Sequence, residues 1–184
     1  MNDNQRNFIC EKYQNEAQRI DELWFQMCEQ HQHPLKLIIL AEAPLSYDKY
    51  FYNVQANFLK SLQVFWRLES VKDLIPRMIV EGVLLMDIYQ FPLPSKFYVD
   101  DRKNIMYDPE YLEKKIKFLT DNNLLSDDTR FVFRYKNLIN RNLHQRQNLI
   151  DLNYLSDYNN TPISMNLKER PVQILNQIVG DYLG

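Results

Sequence analysis

Glycine is nearly absent from this chain. Three residues in 184 leave few positions where the backbone can enter left-handed conformations without strain. Neither GxGxxG nor GxxxxGK[ST] occurs, so phosphate cradles built from glycine are excluded. Cysteine is scarce too. Cys10 and Cys28 match no metal or redox spacing and read as reduced, partly buried thiols. Long hydrophobic runs are also missing: Leu37-Ile38-Ile39-Leu40-Ala41 and Val83-Leu84-Leu85-Met86 fall far short of the ~20 residues that cross a bilayer. No basic start followed by an apolar segment and a small-residue cleavage site precedes Cys10, so a cytoplasmic protein without membrane association is expected. A net charge of -2 neither invites nor excludes a polyanion.

What is present suits an ordinary globular protein. Hydrophobic residues make up 45% and charged residues 25%, and the length fits one domain spanning 1–184. Twelve Tyr and ten Phe imply a rigid interior rich in aromatic rings. Charge is unevenly placed: between Thr129 and Asn148 the cations Arg130, Arg134, Lys136, Arg141 and Arg146 occur with no carboxylate among them. Such a stretch either faces phosphate or forms a solvated surface.

From Phe8 to Met27 the positions Ile9, Tyr13, Ala17, Ile20, Trp24 and Met27 recur at helical spacing, which predicts an amphipathic helix over about 8–30. Leu35 to Leu40 lacks polar alternation and predicts an inner strand covered on both faces. Phe51, Phe58, Leu62, Phe65 and Trp66, then Leu74, Ile75, Met78 and Ile79, lie at mostly helical intervals, with Pro76 suited to a first turn. Gly82 punctuates the chain before a second buried strand, Val83 to Ile88. Strand, helical crossover and similar strand together predict a right-handed parallel unit. Asp108-Pro109-Glu110 announces a further helix, Phe131 to Tyr135 a third strand and Leu149 to Leu155 a weaker fourth. A closing helix follows over about 171–183. The order of elements predicts an α/β fold, a three-layer α/β/α sandwich with a small, mainly parallel central sheet.

In open parallel sheets, ligands collect beyond the carboxyl ends of the strands. That rule selects the loop beginning Ala41-Glu42-Ala43-Pro44 and the segment from Asp87 to Pro94. Glu42 and Asp87 each follow or end an apolar run, and a buried carboxylate needs donors, a cation or a solvated cleft. Both therefore stand as candidate site residues. The structural alternatives are that Glu42 caps the next helix and that Asp87 fixes the Tyr89-to-Pro94 turn. The cluster Tyr47, Tyr50, Phe51 and Tyr52 reads as either a stacking platform or a local hydrophobic anchor.

The run Leu37-Ile38-Ile39-Leu40-Ala41-Glu42-Ala43-Pro44 resembles the first motif of the uracil-DNA glycosylase superfamily, in particular its thermophilic-type branch, where a strand ends in Gly-Glu-Ala-Pro-Gly. Leu85-Met86-Asp87 with Pro92 and Pro94 resembles the second motif, a strand ending in Thr-Asn before a Pro-containing loop. Thr161-Pro162-Ile163-Ser164 corresponds by position to the final His-Pro-Ser-Pro-type loop. The resemblance implies that Glu42 handles water, that Asp87 contacts the base or balances charge on the sugar, and that Tyr50, Phe51 or Tyr52 stacks on an extruded base. It also implies that Ser164 lies in the minor-groove loop. The chain departs from the pattern at several points: Ala41 and Leu45 replace the motif glycines, Asp87 stands where the branch has Asn, and the terminal His is missing. Two cysteines cannot supply the four-cysteine iron-sulfur ligand set.

Other constellations are weaker. His31-x-His33 suits an exposed linker better than a metal pair, and Asp100-Asp101 and Asp127-Asp128 suit solvated turns. Neither Ser46 nor Ser164 lies in a nucleophile-elbow pattern. The expectation is thus a divergent glycosylase-like protein that binds a nucleobase, nucleotide or DNA and hydrolyses an N-glycosidic bond if catalytic. No metal or cofactor is expected. Arg130, Arg134, Arg141, Arg146 and Ser164 would contact the nucleic acid. The alternative is a noncatalytic module on the same scaffold, whose partner is another protein.

Overall fold

The computed structural model describes residues 3–41, 47–53, 62–63, 66–90 and 109–133. The expected strand at Leu149 to Leu155 and the closing helix at 171–183 lie outside these residues. Helix α1 runs Asp3–Glu29. Its apolar stripe is buried at Ala17, Ile20, Trp24, Met27 and Cys28, the face that the helical spacing selects. The Cys28 thiol is fully enclosed rather than partly buried. Within this face Trp24 meets Phe25 edge-on at 5.2 Å, and Phe25 meets Phe118 at 4.7 Å.

Three strands form the sheet: β1 (Leu37–Ala41), β2 (Val83–Asp87) and β3 (Arg130–Phe133), in the order β2-β1-β3. Both pairings are parallel. Leu37 is level with Val83 and Arg130, and Ala41 is level with Asp87. Every residue of β1 and β2 is buried, as expected of strands covered on both faces. The first strand begins at Leu37 rather than Leu35 because the Leu35 N–H is directed to the Leu124 carbonyl, at the start of the segment leading to β3.

Helix α2 (Leu74–Glu81) precedes β2, and helix α3 (Pro109–Asp121) precedes β3. Pro76 sits in the first turn of α2, where its missing N–H leaves no intrahelical bond unmade. Gly82 ends α2 in the left-handed region at φ 69, bonding back to the Ile79 and Met78 carbonyls. Its own carbonyl receives the Lys36 and Leu37 N–H groups, so one residue caps a helix and starts the sheet. The crossover from β1 to β2 and the return from β2 to β3 run in opposite directions across the sheet. With right-handed crossovers their helices cover opposite faces, which gives the α/β/α layering. The described residues that follow β1 and β2 both return to α1, Tyr47 through Glu16 and Gln90 through Asp21, so α1 flanks the carboxyl ends of the two strands.

Leu37 N–H bonds to the Gly82 carbonyl at one end of the β1–β2 ladder, and Ile88 N–H bonds to the Ala41 carbonyl at the other. Leu85 therefore turns its backbone groups away from β1. They are satisfied by side chains. The Tyr52 hydroxyl accepts from the Leu85 N–H at 2.8 Å and donates to its carbonyl at 3.1 Å, and the Trp24 indole N–H donates to the same carbonyl at 3.0 Å. These two side chains block strand addition at that position. Of the expected 51–66 helix, the described part comprises a 3-10 turn over Phe51–Asn53, the helical residues Leu62 and Gln63 with Leu62 buried, and Trp66, whose N–H bonds back to the Leu62 carbonyl at 3.0 Å. Among the described residues no helix is long and apolar enough to cross a membrane.

Candidate functional site

The carboxyl ends of β1 and β2 lie side by side. Asp87 closes β2 opposite Ala41, and its side chain is only 1% exposed. Glu42 follows Ala41 in sequence but lies outside the described residues, as do Arg134, Arg141, Arg146 and Ser164. Arg130 is described, at the other end of the sheet. It is level with Leu37 at the start of β1, and its guanidinium donates to the Asp127 carbonyl at 2.6 Å. The structure therefore does not bring Arg130 to the rim with Asp87, and any phosphate contact by Arg130 would fall at the amino-terminal end.

Tyr50, Phe51 and Tyr52 are buried, with ring centroids 4.3 Å apart for Tyr50–Phe51 and 4.8 Å for Phe51–Tyr52. The rings pack on one another within the core, Tyr52 edge-on to the other two, as a hydrophobic anchor does. The preceding 3-10 turn, Tyr47–Lys49, is held to α1: the Tyr47 N–H donates to Glu16 at 2.6 Å and the Arg19 guanidinium lies 3.9 Å over the Tyr47 ring. Helix α1 thus fixes where the chain re-enters after the β1 loop.

Beside Asp87 lies a polar cluster that the motif reading missed. Asp21 of α1 accepts from the Tyr111 hydroxyl at 2.6 Å and from Gln90 Nε2 at 3.2 Å. Lys115 of α3 places its Nζ 3.4 Å from Asp21 Oδ1 and 4.5 Å from the ring centres of both Trp24 and Tyr111. Lys115 is 1% exposed, which is unusual for a residue that normally keeps its ammonium in water. Helical spacing held the signal. Tyr111, Leu112, Ile116 and Leu119 form the buried face of α3, and Lys115 falls on that face.

Burial dominates the proton affinities here. Desolvation lowers the Lys115 pKa, opposed by the negative charges of Asp21 and Asp87. The Tyr50 hydroxyl is pushed well above its ordinary value by burial, with Asp87, Tyr52, Tyr111 and Asp21 adding to the shift. Burial likewise raises Tyr52, reinforced by Cys28 and partly offset by its bond to Leu85. Burial also raises the Cys28 thiol, against the pull of Lys115, so this thiol is unreactive at neutral pH. Both tyrosines therefore stay protonated at neutral pH. Tyr52 spends its hydroxyl on Leu85, whereas the Tyr50 hydroxyl meets no hydrogen-bond partner among the described residues. Tyr111, Lys115 and Asp21 bring a hydroxyl, an ammonium and a carboxylate together in one water-poor region.

His31 is buried and His33 exposed, on the segment that leads into the amino-terminal end of β1. Asp127 and Asp128 are exposed. Among the described residues no three His, Cys, Asp or Glu side chains gather as metal ligands. Comparison of the chain with family models, with curated proteins and with solved structures returns no match.

Proposed function

We propose that the protein binds a nucleobase, free or within nucleic acid, at the carboxyl ends of β1 and β2, as a divergent uracil-DNA-glycosylase-like protein. The observation that supports this reading is the pairing of Ala41 with Asp87, which sets the carboxyl ends of β1 and β2 side by side, the end of a parallel sheet at which ligands collect. Glu42 is the next residue after that pair, so the sequence places a second carboxylate one bond beyond it. If the bound ligand is cleaved, Glu42 orients water and Asp87 balances positive charge developing on the sugar. The terminal-motif His is missing, and one such donor is typically worth ~3 kcal/mol in the transition state. Any base release is accordingly slow.

The test is incubation with uracil-containing single- and double-stranded oligonucleotides, scoring base release and, separately, binding at low salt. Binding with slow release that Asp87→Asn abolishes supports the catalytic form. Unchanged substrate at high enzyme concentration together with no binding at low salt refutes the proposal. One observation favours a second reading, a noncatalytic interaction module on the same scaffold: Asp87, Tyr50, Phe51 and Tyr52 are all at most 5% exposed. Its signature is a protein partner, with no DNA bound and no base released.

A further inference from the structure

We infer that the Lys115 side chain is a nucleophile for a small uncharged aldehyde, which it holds as an imine, with Asp21 beside it to take and return the proton.

The surroundings of the amine carry this. Lys115 Nζ lies 3.4 Å from Asp21 Oδ1 and 4.5 Å from the ring centres of Trp24 and Tyr111, so one carboxylate oxygen and two aromatic faces enclose it. It makes no well-formed hydrogen bond among the described residues. A lysine buried for structure alone would be expected to spend its three donors on nearby acceptors, because a buried charge without them is costly. Here the donors stay idle. Buried groups left in that condition are rare in native proteins, and catalysis is one of the few uses that explains them. Desolvation also lowers the Lys115 pKa, against the opposing charges of Asp21 and Asp87, so the neutral amine that attacks carbonyls is reached more readily than on a surface lysine.

The same surroundings select what enters. The ammonium and the Asp21 carboxylate balance each other, and the remaining walls are the rings of Trp24 and Tyr111. An uncharged carbonyl compound suits them, whereas an anion would bring charge into a water-poor region. The cluster reaches solvent at Asp21, whose side chain is 16% exposed and accepts from half-buried Gln90, just beyond the carboxyl end of β2.

Asp21 Oδ1 takes one proton from the ammonium, and the freed lone pair on Nζ forms a bond to the carbonyl carbon while the C–O π pair moves onto oxygen. That oxygen collects one proton from the nitrogen and a second from Asp21, then leaves as water. Of the three ammonium protons, one stays on the protonated imine and two depart in the water; nothing is oxidised or reduced. The Tyr111 hydroxyl, 2.6 Å from the same Asp21 oxygen, holds the carboxylate in place for both transfers.

The test is incubation of the full wild-type chain with propanal and sodium cyanoborohydride, which reduces an imine to a stable N-propyl group, followed by peptide mapping in the mass spectrometer. Lys114 and Lys117, on the same helix with side chains 65% and 74% exposed, are the internal standard. In the folded chain Lys115 is expected to carry more adduct than those two together. In guanidinium chloride, where the cluster is dispersed, the three should label alike. Equal or lower yield at Lys115 in the folded chain overturns the inference, as does a preference that survives unfolding. No variant has to fold and no nucleic acid is present, so the result bears on the amine alone and leaves the nucleobase reading to its own test.

Discussion

Tyr50 and Tyr52 are both buried, yet removing their hydroxyls should affect stability in different ways. Tyr52→Phe deletes the acceptor of the Leu85 N–H, at 2.8 Å, and one of two donors to the Leu85 carbonyl. That carbonyl keeps the Trp24 indole at 3.0 Å, so most of the penalty falls on the N–H, stranded on the side of β2 away from β1. An unmatched buried N–H costs about 2 kcal/mol. With a urea m-value of ~2 kcal/mol/M, typical of small proteins, the midpoint should fall by about 1 M. Amide hydrogen exchange gives a second readout, since Leu85 should lose protection while Leu84 and Met86, bonded toward β1, keep theirs. A Tyr52→Phe midpoint within 0.2 M of wild type (~0.4 kcal/mol at that m-value), with Leu85 still protected, would refute the assignment of Tyr52 as the plug of the β2 edge.

Other perturbations bear on the cluster and the chain geometry. Asp21→Ala should destabilise by roughly 3 kcal/mol or more, because it strands the buried Lys115 ammonium as well as the Tyr111 hydroxyl and Gln90; Asp21→Asn, which keeps an acceptor, should cost less in the same urea titration. Gly82→Ala should lower stability by about 1–2 kcal/mol in thermal unfolding, since φ 69 is strained for a side chain and its Cβ would approach the Lys36 nitrogen at 3.2 Å. His31 should give a pH signature. Burial lowers its pKa below the ordinary 6.5, against an opposing backbone bond at Ile79, so the unfolded chain takes up a proton first as pH falls. Stability should be full above pH 6.5 and decline below it; urea midpoints at pH 7.5 and 5.5 should differ less in His31→Gln than in wild type.

Much of the sheet was legible because burial on both faces leaves a simple mark. Leu37 to Leu40 and Val83 to Met86 carry no polar alternation, and a helical crossover between two such runs permits little besides a parallel pair. Asp87 stood out for the same reason, as an acid ending an apolar run. Lys115 and Asp21 did not stand out, because each lies in a helix dense with charges, where a lysine or aspartate is expected to be solvated. Only the company of Tyr111, Leu112 and Ile116 on one side, and of Ala17, Ile20 and Trp24 on the other, places them at a buried face. The aromatic run at Tyr50 to Tyr52 was ambiguous from composition alone, since rings for stacking on a base and rings for packing a core are the same residues. Arg130 lost its place at the rim through strand direction: it begins β3, and in a parallel sheet the first residue lies at the end opposite Asp87.

Amide chemical-shift mapping during titration with uracil-containing single-stranded DNA at low salt examines the location of the site most directly. Perturbations should concentrate at Tyr50, Asp87 and Ile88, where β1 and β2 end. Perturbations at Leu37, Gly82 and Arg130, or none at any strand, would contradict a ligand site at the carboxyl ends of β1 and β2.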